Sequence, residues 1–396
     1  MADEHDRLLD GLSVIDAGQV LAGPFVGSLL ADMGADVIKI ELPSLARPGA
    51  PPPAPVRALE YRNKRSITLD LRQPEGQELA RRLAAACDAF VENYSTGKME
   101  RWGLGFDDLA KVNPRIIMVR ISGYGQTGPY RDRTSYDRIG QAVGGMIYVT
   151  GEAERPPIHP GFMLGDYISG MFGALAVLTA VYHRDQADCD EPQEVDLSLY
   201  ESIFRLSGQL APDFSHRGFV RERTGNFRYW SIPGDQFETK DGKWILILAL
   251  NRATFQRLGE AMEMPELSTD PRFVDHAART EHVDELIGLI AEWVAGFTSK
   301  ELQARLDEYR VPYGPVNSIE DIFADPQYKA RDDLVVVDDP QVGPTVVPAV
   351  YPRLSHAPGR VYSPAPVPGQ HNEEVYKGML GLSDDDFDRL HDAEVI

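Results

Sequence analysis

In the first two hundred positions apolar residues come in short runs, each closed by glycine or polar residues and followed by a segment of helical periodicity. Leu12 to Asp16 predicts a strand, Ala17 to Pro24 a loop, Phe25 to Met33 a helix and Asp36 to Glu41 a second strand. Together they form a βαβ unit of about thirty residues, the length a parallel crossover needs. Ser66 to Asp70 predicts a strand, and Pro74 to Cys87 a helix with proline in its first turn. Ala89 to Glu92 and Ile116 to Ile121 predict further strands, with a helix over Phe106 to Lys111 between them. This alternation predicts an α/β fold, a parallel sheet covered by helices. Tyr167 to His183 reads as a long apolar helix, expected to be buried on most faces.

The texture changes near Gly225. Phe237-Glu-Thr and Lys243 to Leu248 flank Lys-Asp-Gly, a hairpin signal, and three helix-like segments follow. In one of them Leu286, Ile287, Ile290, Trp293, Val294 and Phe297 recur at helical spacing, and Thr298-Ser-Lys-Glu301 has the form of a capping box. The expected organisation is a large domain over residues 1–200, a linker over 201–224, a smaller α+β domain over 225–330, and a proline- and valine-rich tail over 331–396 that returns to the large domain as an extended arm.

Charge removes several classes of function. The chain of 396 residues has a formal net charge of −21, the wrong sign for a surface that tracks nucleic acid or anionic membrane, so an anionic ligand needs a local basic pocket. Two cysteines allow no disulfide framework, and the histidines show no metal-ligand spacing, so no metal site is expected. No G-x-G-x-x-G follows the first strand, which disfavours NAD, and no G-x-S-x-G elbow supports a serine hydrolase. The acidic amino terminus is unlike a signal peptide and the stretch Met171 to Tyr182 is too short to span a bilayer, so the cytoplasm is the expected location and no membrane partner is expected.

Three loops at the carboxyl ends of the predicted strands carry glycine and polar residues: Gln19 to Pro24, Asn93 to Gly97 and Ser122 to Pro129. In open α/β sheets this edge binds ligands. Asp166 stands where the apolar helix begins. There it is an N-cap residue, and it is also a carboxylate in the positive field of a helix start, ionised and able to attack a thioester carbonyl. Backbone N–H groups of the same turn or of the facing glycine loop are candidates for stabilising the resulting oxyanion. Arg62, Lys64 and Arg65 form a basic run before a strand, readable as a solvated edge or as an anion site. Lys39 and Glu41 end the second strand, readable as the place of a nucleoside or as solubilising edge charges.

Taken together, Leu21-Ala-Gly-Pro24, Leu30 to Glu41, Arg62 to Ser66, Val91-Glu-Asn93, Trp102-Gly-Leu104, Ser122 to Pro129, Tyr136-Asp137, Gln141 to Gly145, Gly165-Asp166 and Val195 to Ser202 resemble the class III CoA-transferases of the CaiB/BaiF type. The resemblance is close over the first half of the chain. It implies a Rossmann-like large domain, a smaller inserted domain and an obligate homodimer of interlocked rings. It makes Asp166 the catalytic carboxylate, which carries the acyl group as an anhydride and then CoA as a thioester. Coenzyme A and acyl-CoA are implied as substrates rather than permanent cofactors, with contacts from Gln19, Ala22, Lys39, Arg62, Lys64, Arg65, Asn93, Arg101, Gly123, Tyr136 and Asp137. The acceptor is a carboxylic acid. Leu21 stands where formyl-CoA transferases carry glutamine, which argues against oxalate. Tyr136 stands where the related racemases carry a histidine base, and a phenol with a pKa of about 10 is a poor base near neutrality. Racemase and silent CoA-binding protein are the alternatives. A small dicarboxylate is the favoured acceptor, with Arg47, Arg228 or Arg252 available for its second carboxylate.

Overall fold

The computed structural model describes residues 7–47, 54–187, 189–226 and 231–396. Arg228, one of the candidate acceptor arginines, lies outside them, as does most of the proline-rich connection after Arg47. The chain divides into two compact units. One takes in Met1–Ile147, His159–Val220 and Gln327–Ile396, the other Tyr148–Ile158 and Arg221–Pro326. Residues 148–158, placed with the large domain by sequence, therefore group with the smaller unit.

The first unit is built on six parallel strands: β1 (Ser13–Asp16), β2 (Asp36–Glu41), β3 (Arg65–Thr68), β4 (Ala89–Glu92), β5 (Ile117–Ser122) and β6 (Gln193–Ser198), in the order β3-β2-β1-β4-β5-β6. The central strands β1, β4 and β5 are buried almost throughout, as a parallel sheet covered on both faces requires, whereas the edge strand β6 is mostly half-buried. Val14, Ile15, Val91, Phe90 and Met118 are all fully buried. Between the strands run α1 (Ala22–Asp32), α2 (Arg57–Glu60), α3 (Pro74–Ala86), α4 (Lys98–Arg101), α5 (Phe106–Val112), α6 (Asp137–Val143) and α7 (Leu164–Ala187), and β6 leads into α8 (Leu199–Arg205) and α9 (Leu210–Arg217). The strand order reverses between β1 and β4, and a crevice opens at the carboxyl ends there.

One sheet face packs on α1 and α7, with Val26, Leu30, Val119, Ala174 and Val177 in its core. The other face is closed by α3 together with the carboxyl-terminal residues Tyr376, Phe387, Leu390 and Ile396. The tail is less extended than expected. After the short α15 (Pro326–Ala330), β10 (Leu334–Asp339) and β11 (Gly343–Pro348) form an antiparallel hairpin, and α16 (Asp384–Asp392) comes near its end. The Tyr376 hydroxyl donates to the Thr68 carbonyl (2.7 Å) and anchors the tail to β3.

Helix α7 departs from expectation in two ways. It has 24 residues and is long and apolar enough to cross a membrane by length and composition, so the short-stretch argument against a span does not hold. Nor is it buried on most faces. Gly165, Ser169, Gly170, Gly173, Ala174 and Val177 make one buried stripe, seated on α1 and the sheet, while Met171, Leu175, Leu178 and Tyr182 on another face are exposed.

In the second unit β7 (Gly234–Glu238), β8 (Trp244–Leu248) and β9 (Tyr313–Pro315) form an antiparallel sheet. Four α-helices separate β8 from β9: α10 (Arg252–Ala261), α11 (His276–Glu281), α12 (Val283–Val294) and α13 (Ser299–Glu308), and α14 (Ile319–Ala324) follows. Leu286, Ile290 and Val294 of α12 are buried with Phe255 and Leu306. The capping box that starts α13 forms as read, Thr298 and Glu301 satisfying each other's backbone N–H groups.

Candidate active site

The crevice starts from two loops clamped together. Gln19 N–H donates to Asn93 Oδ1 (2.6 Å) and Asn93 Nδ2 donates back to the Gln19 carbonyl (2.8 Å), while Gln19 Nε2 donates to the Tyr94 hydroxyl (3.1 Å). This turn is tight. A Cβ on Gly18 would stand 2.8 Å from the Gly23 Cα, and Val20, β-branched and 83% exposed, has φ of 62°, a strained conformation for that side chain. Beside it lies a cavity of about 410 Å³ lined by Gln19, Lys39, Tyr61, Tyr94, Lys98 and Trp102 among others. Lys98 Nζ lies 4.9 and 5.1 Å from the Tyr94 and Trp102 ring centroids, so this cation is presented over aromatic faces.

The other basic residues behave differently from the expected outward anion site. Lys64 and Arg62 are each 2% exposed. Lys64 Nζ donates to Asp16 Oδ2 (3.0 Å) and the Pro24 carbonyl (2.7 Å). Arg62 forks onto Asp32 (3.0 and 2.6 Å). Arg65 pairs with Asp36 and Glu374, and Lys39 Nζ donates to Asp16 Oδ1 (3.1 Å). Buried cations need such partners, and local sequence does not reveal carboxylates that arrive from other strands and helices. Burial works to raise the Asp16 carboxyl, but Lys39 and Lys64 outweigh it and hold it below its usual range. Burial and the like charge of Lys39 depress Lys64. Lys39 still forms part of the cavity wall. Glu41 is buried under the Arg57 guanidinium (2.6 and 2.9 Å), not at a solvated edge.

Ala22 is buried beneath the α1–α7 seam, where its carbonyl oxygen faces Gly170, so its side chain is packing. Arg101 and Tyr136 are exposed and Gly123 is half-buried; a Cβ on Gly123 would overlap the Ser135 side chain at 2.1 Å. Arg47 is paired at the surface with Glu394, and Arg252 is exposed on α10 of the second unit. Lys98, at the start of α4, is a cavity-lining cation that the sequence did not single out, although its place directly after Gly97 was a usable signal.

Asp166 is half-buried in the first turn of α7, two residues inside the helix rather than at its N-cap. The capping is done by Asp137 of α6. Its Oδ1 accepts from Gly165 N–H (2.8 Å) and Asp166 N–H (3.2 Å), and its Oδ2 accepts from Gln141 Nε2 (2.6 Å). Gly165 leaves room for this approach, since a Cβ there would lie 3.1 Å from Asp137 Oδ1. The N–H groups named as oxyanion donors in this turn are thus engaged by Asp137, and in the glycine loop Gly125 and Gln126 N–H are engaged by Ser122 and Asp196. Burial, and then the neighbouring Asp137 charge, push the Asp166 carboxyl up to about 6. It is ionised at neutral pH yet more basic than an ordinary carboxylate, the combination a carboxylate nucleophile needs. Among the described residues no group of three or more His, Cys, Asp or Glu side chains is placed to hold a metal.

Residues 9–372 match CoA-transferase family III. The chain is 43% identical to a succinyl-CoA–D-citramalate CoA-transferase of Chloroflexus aurantiacus, with 98% of each chain covered. It is 32% identical to the succinyl-CoA:glutarate CoA-transferase of Homo sapiens, over 98% of this chain and 90% of that one. Among solved structures, a CaiB/BaiF family protein from Brucella suis superposes with a TM-score of 0.83 at 32% identity, covering 94% of this chain and 99% of that one.

Proposed function

The chain belongs to CoA-transferase family III, and from that premise we propose that it moves CoA from succinyl-CoA to a second small dicarboxylate, with Asp166 as the covalent carrier. One observation carries the reading: in the first turn of α7, Asp166 is a carboxylate raised to about 6 by burial and by Asp137, with no cation drawing it down. Such a group gains by becoming a neutral ester-like species. Asp166 attacks the thioester carbonyl, giving a mixed anhydride and CoA thiolate. The thiolate then attacks the aspartyl carbonyl, releasing the donor carboxylate and leaving an aspartyl-CoA thioester. The acceptor carboxylate displaces CoA to form a second anhydride, and the thiolate attacks the acceptor carbonyl of that anhydride, freeing the new acyl-CoA and Asp166. Coenzyme A enters and leaves as substrate. The dicarboxylate assignment is supported by relatives named for D-citramalate and glutarate as acceptors.

The exposed apolar face of α7 supports a homodimer in which a second copy covers Met171, Leu175, Leu178 and Tyr182, and interlocked rings are the form we propose for it. The direct test is incubation with succinyl-CoA, trapping with hydroxylamine or borohydride, and peptide mass analysis, followed by a panel of dicarboxylate and monocarboxylate acceptors. Modification confined to Asp166, absent from Asp166→Asn, is the expected result. Modification elsewhere, turnover by Asp166→Ala near the wild-type rate, or α-proton exchange with deuterated water in place of transfer overturns the reading.

A further inference from the structure

Glu60, the last residue of α2, is a carboxylate in a position that disfavours charge. It is 2% exposed, its Oε1 accepts from the Tyr167 hydroxyl (3.2 Å), and its Oε2 is buried with no hydrogen-bond partner among the described residues. Burial raises its carboxyl against the pull of Lys64. A buried carboxylate with one oxygen unsatisfied costs stability that leucine would not, so packing alone does not account for glutamate here.

What Glu60 touches gives it a use. Tyr167 directly follows Asp166, and its ring meets Phe25 of α1 edge-on at 4.7 Å. The first turn of α7 is therefore held from two sides: Asp137 grips the N–H groups of Gly165 and Asp166, and Glu60 grips the side chain of Tyr167. On its other side in the chain Glu60 is followed by Tyr61. That ring lines the 410 Å³ cavity and is surrounded by Arg57, Lys64 and Lys39 at 4.3, 5.4 and 5.7 Å. The Glu60 carbonyl is fixed to α1, 2.6 Å from Ser28 Oγ. Asp166 is not among the residues that line this cavity, so a ligand seated there reaches the nucleophile through intervening structure.

We propose that Glu60 is a positioning residue for Asp166: its bond to Tyr167 sets the aim of the reacting carboxylate, and the step from Glu60 to Tyr61 ties that turn to the cavity wall, so that a ligand against Tyr61 steadies the nucleophile. The inference rests on Asp166 being the covalent carrier. The test compares wild type, Glu60→Leu, Tyr167→Phe, the double variant and Glu60→Gln in kcat, in KM for succinyl-CoA and in the rate of Asp166 labelling. Glu60→Leu and Tyr167→Phe are each expected to lower kcat and labelling by roughly ten- to a hundredfold while KM changes less than about threefold, the signature of lost alignment. The double variant should be no slower than the slower single, because both remove one hydrogen bond. Glu60→Gln, which keeps an oxygen for the Tyr167 hydroxyl, should restore most of the rate lost in Glu60→Leu. Rates in both single variants within about twofold of wild type, multiplicative losses in the double, or an effect on KM or melting temperature alone overturn the proposal. Should Glu60→Leu fail to fold, Tyr167→Phe carries the same comparison. If wild type labels Asp166 and the variants match it, only this inference falls; if wild type does not label Asp166, the transferase reading falls first.

Discussion

At neutral pH Asp166 is held ionised where burial favours its protonated form, and that tension is measurable. Folding raises its pKa from 3.8 to about 6, so the folded chain binds this proton more tightly than the unfolded one. The group favours folding fully below pH 3.8, loses that contribution as pH rises through about 6, and above that carries the cost of a half-buried charge. Asp166→Asn is neutral throughout and should be more stable than wild type at pH 8 by about 2 kcal/mol. The difference should close below pH 4, as guanidinium unfolding at the two pH values will show. The labelling rate of Asp166 by succinyl-CoA should rise with pH through about 6 and then level off. Asp137→Asn keeps an oxygen for the Gly165 and Asp166 N–H groups but removes the like charge, so the inflection should move to lower pH with a lower plateau. A profile that stays in place excludes coupling between the two carboxylates. Lys64 offers a third check. Lys64→Met strands Asp16 Oδ2 and should cost about 3 to 5 kcal/mol, read as a lower unfolding midpoint. A cation serving CoA phosphates would instead raise KM and leave stability nearly unchanged.

At the scale of elements, the seam between α1 and α7 sets where Asp166 stands. Gly170 and Gly173 let the two helices approach closely: a Cβ on Gly173 would lie 2.7 Å from Val26 Cγ2 and 3.4 Å from Val119 Cγ1. Gly173→Val should cost 1 to 3 kcal/mol or more, on the order usual for overpacking a core, and should lower the Asp166 labelling rate as the helix shifts. Thermal denaturation and labelling on the same samples test both parts. Most of these elements were legible. Asp36–Glu41 and Ala89–Glu92 coincide with their predicted strands, because short runs rich in β-branched and aromatic residues are closed by polar residues at their ends. The length and exposure of α7 were not legible, since periodicity reports which residues are apolar and not what covers them.

At the scale of the whole molecule, Met171, Leu175, Leu178 and Tyr182 lie along one side of α7 and are exposed in the single chain. An apolar stripe of this kind asks for a partner surface. If the proposed homodimer forms through this face, Leu175→Glu, which places a charge in the stripe, is expected to lower the mass seen by analytical ultracentrifugation from that of a dimer to that of a monomer, with loss of transfer. Dimeric mass and full activity in that variant would remove this face from the proposed interface.

The order of strands and helices along the chain, the glycine loops at the sheet edge and a helix beginning close to Asp166 were determined by the chain itself, because each depends on residues within one or two turns of each other. The pairing of charge was decided only by tertiary structure. Lys64 meets Asp16 across 48 positions, Arg62 meets Asp32 across 30, and Asp137 reaches the first turn of α7 across 28. A lysine on the way into a strand reads the same whether water or a buried carboxylate awaits it, and a carboxylate's pKa depends on neighbours that only the fold brings near.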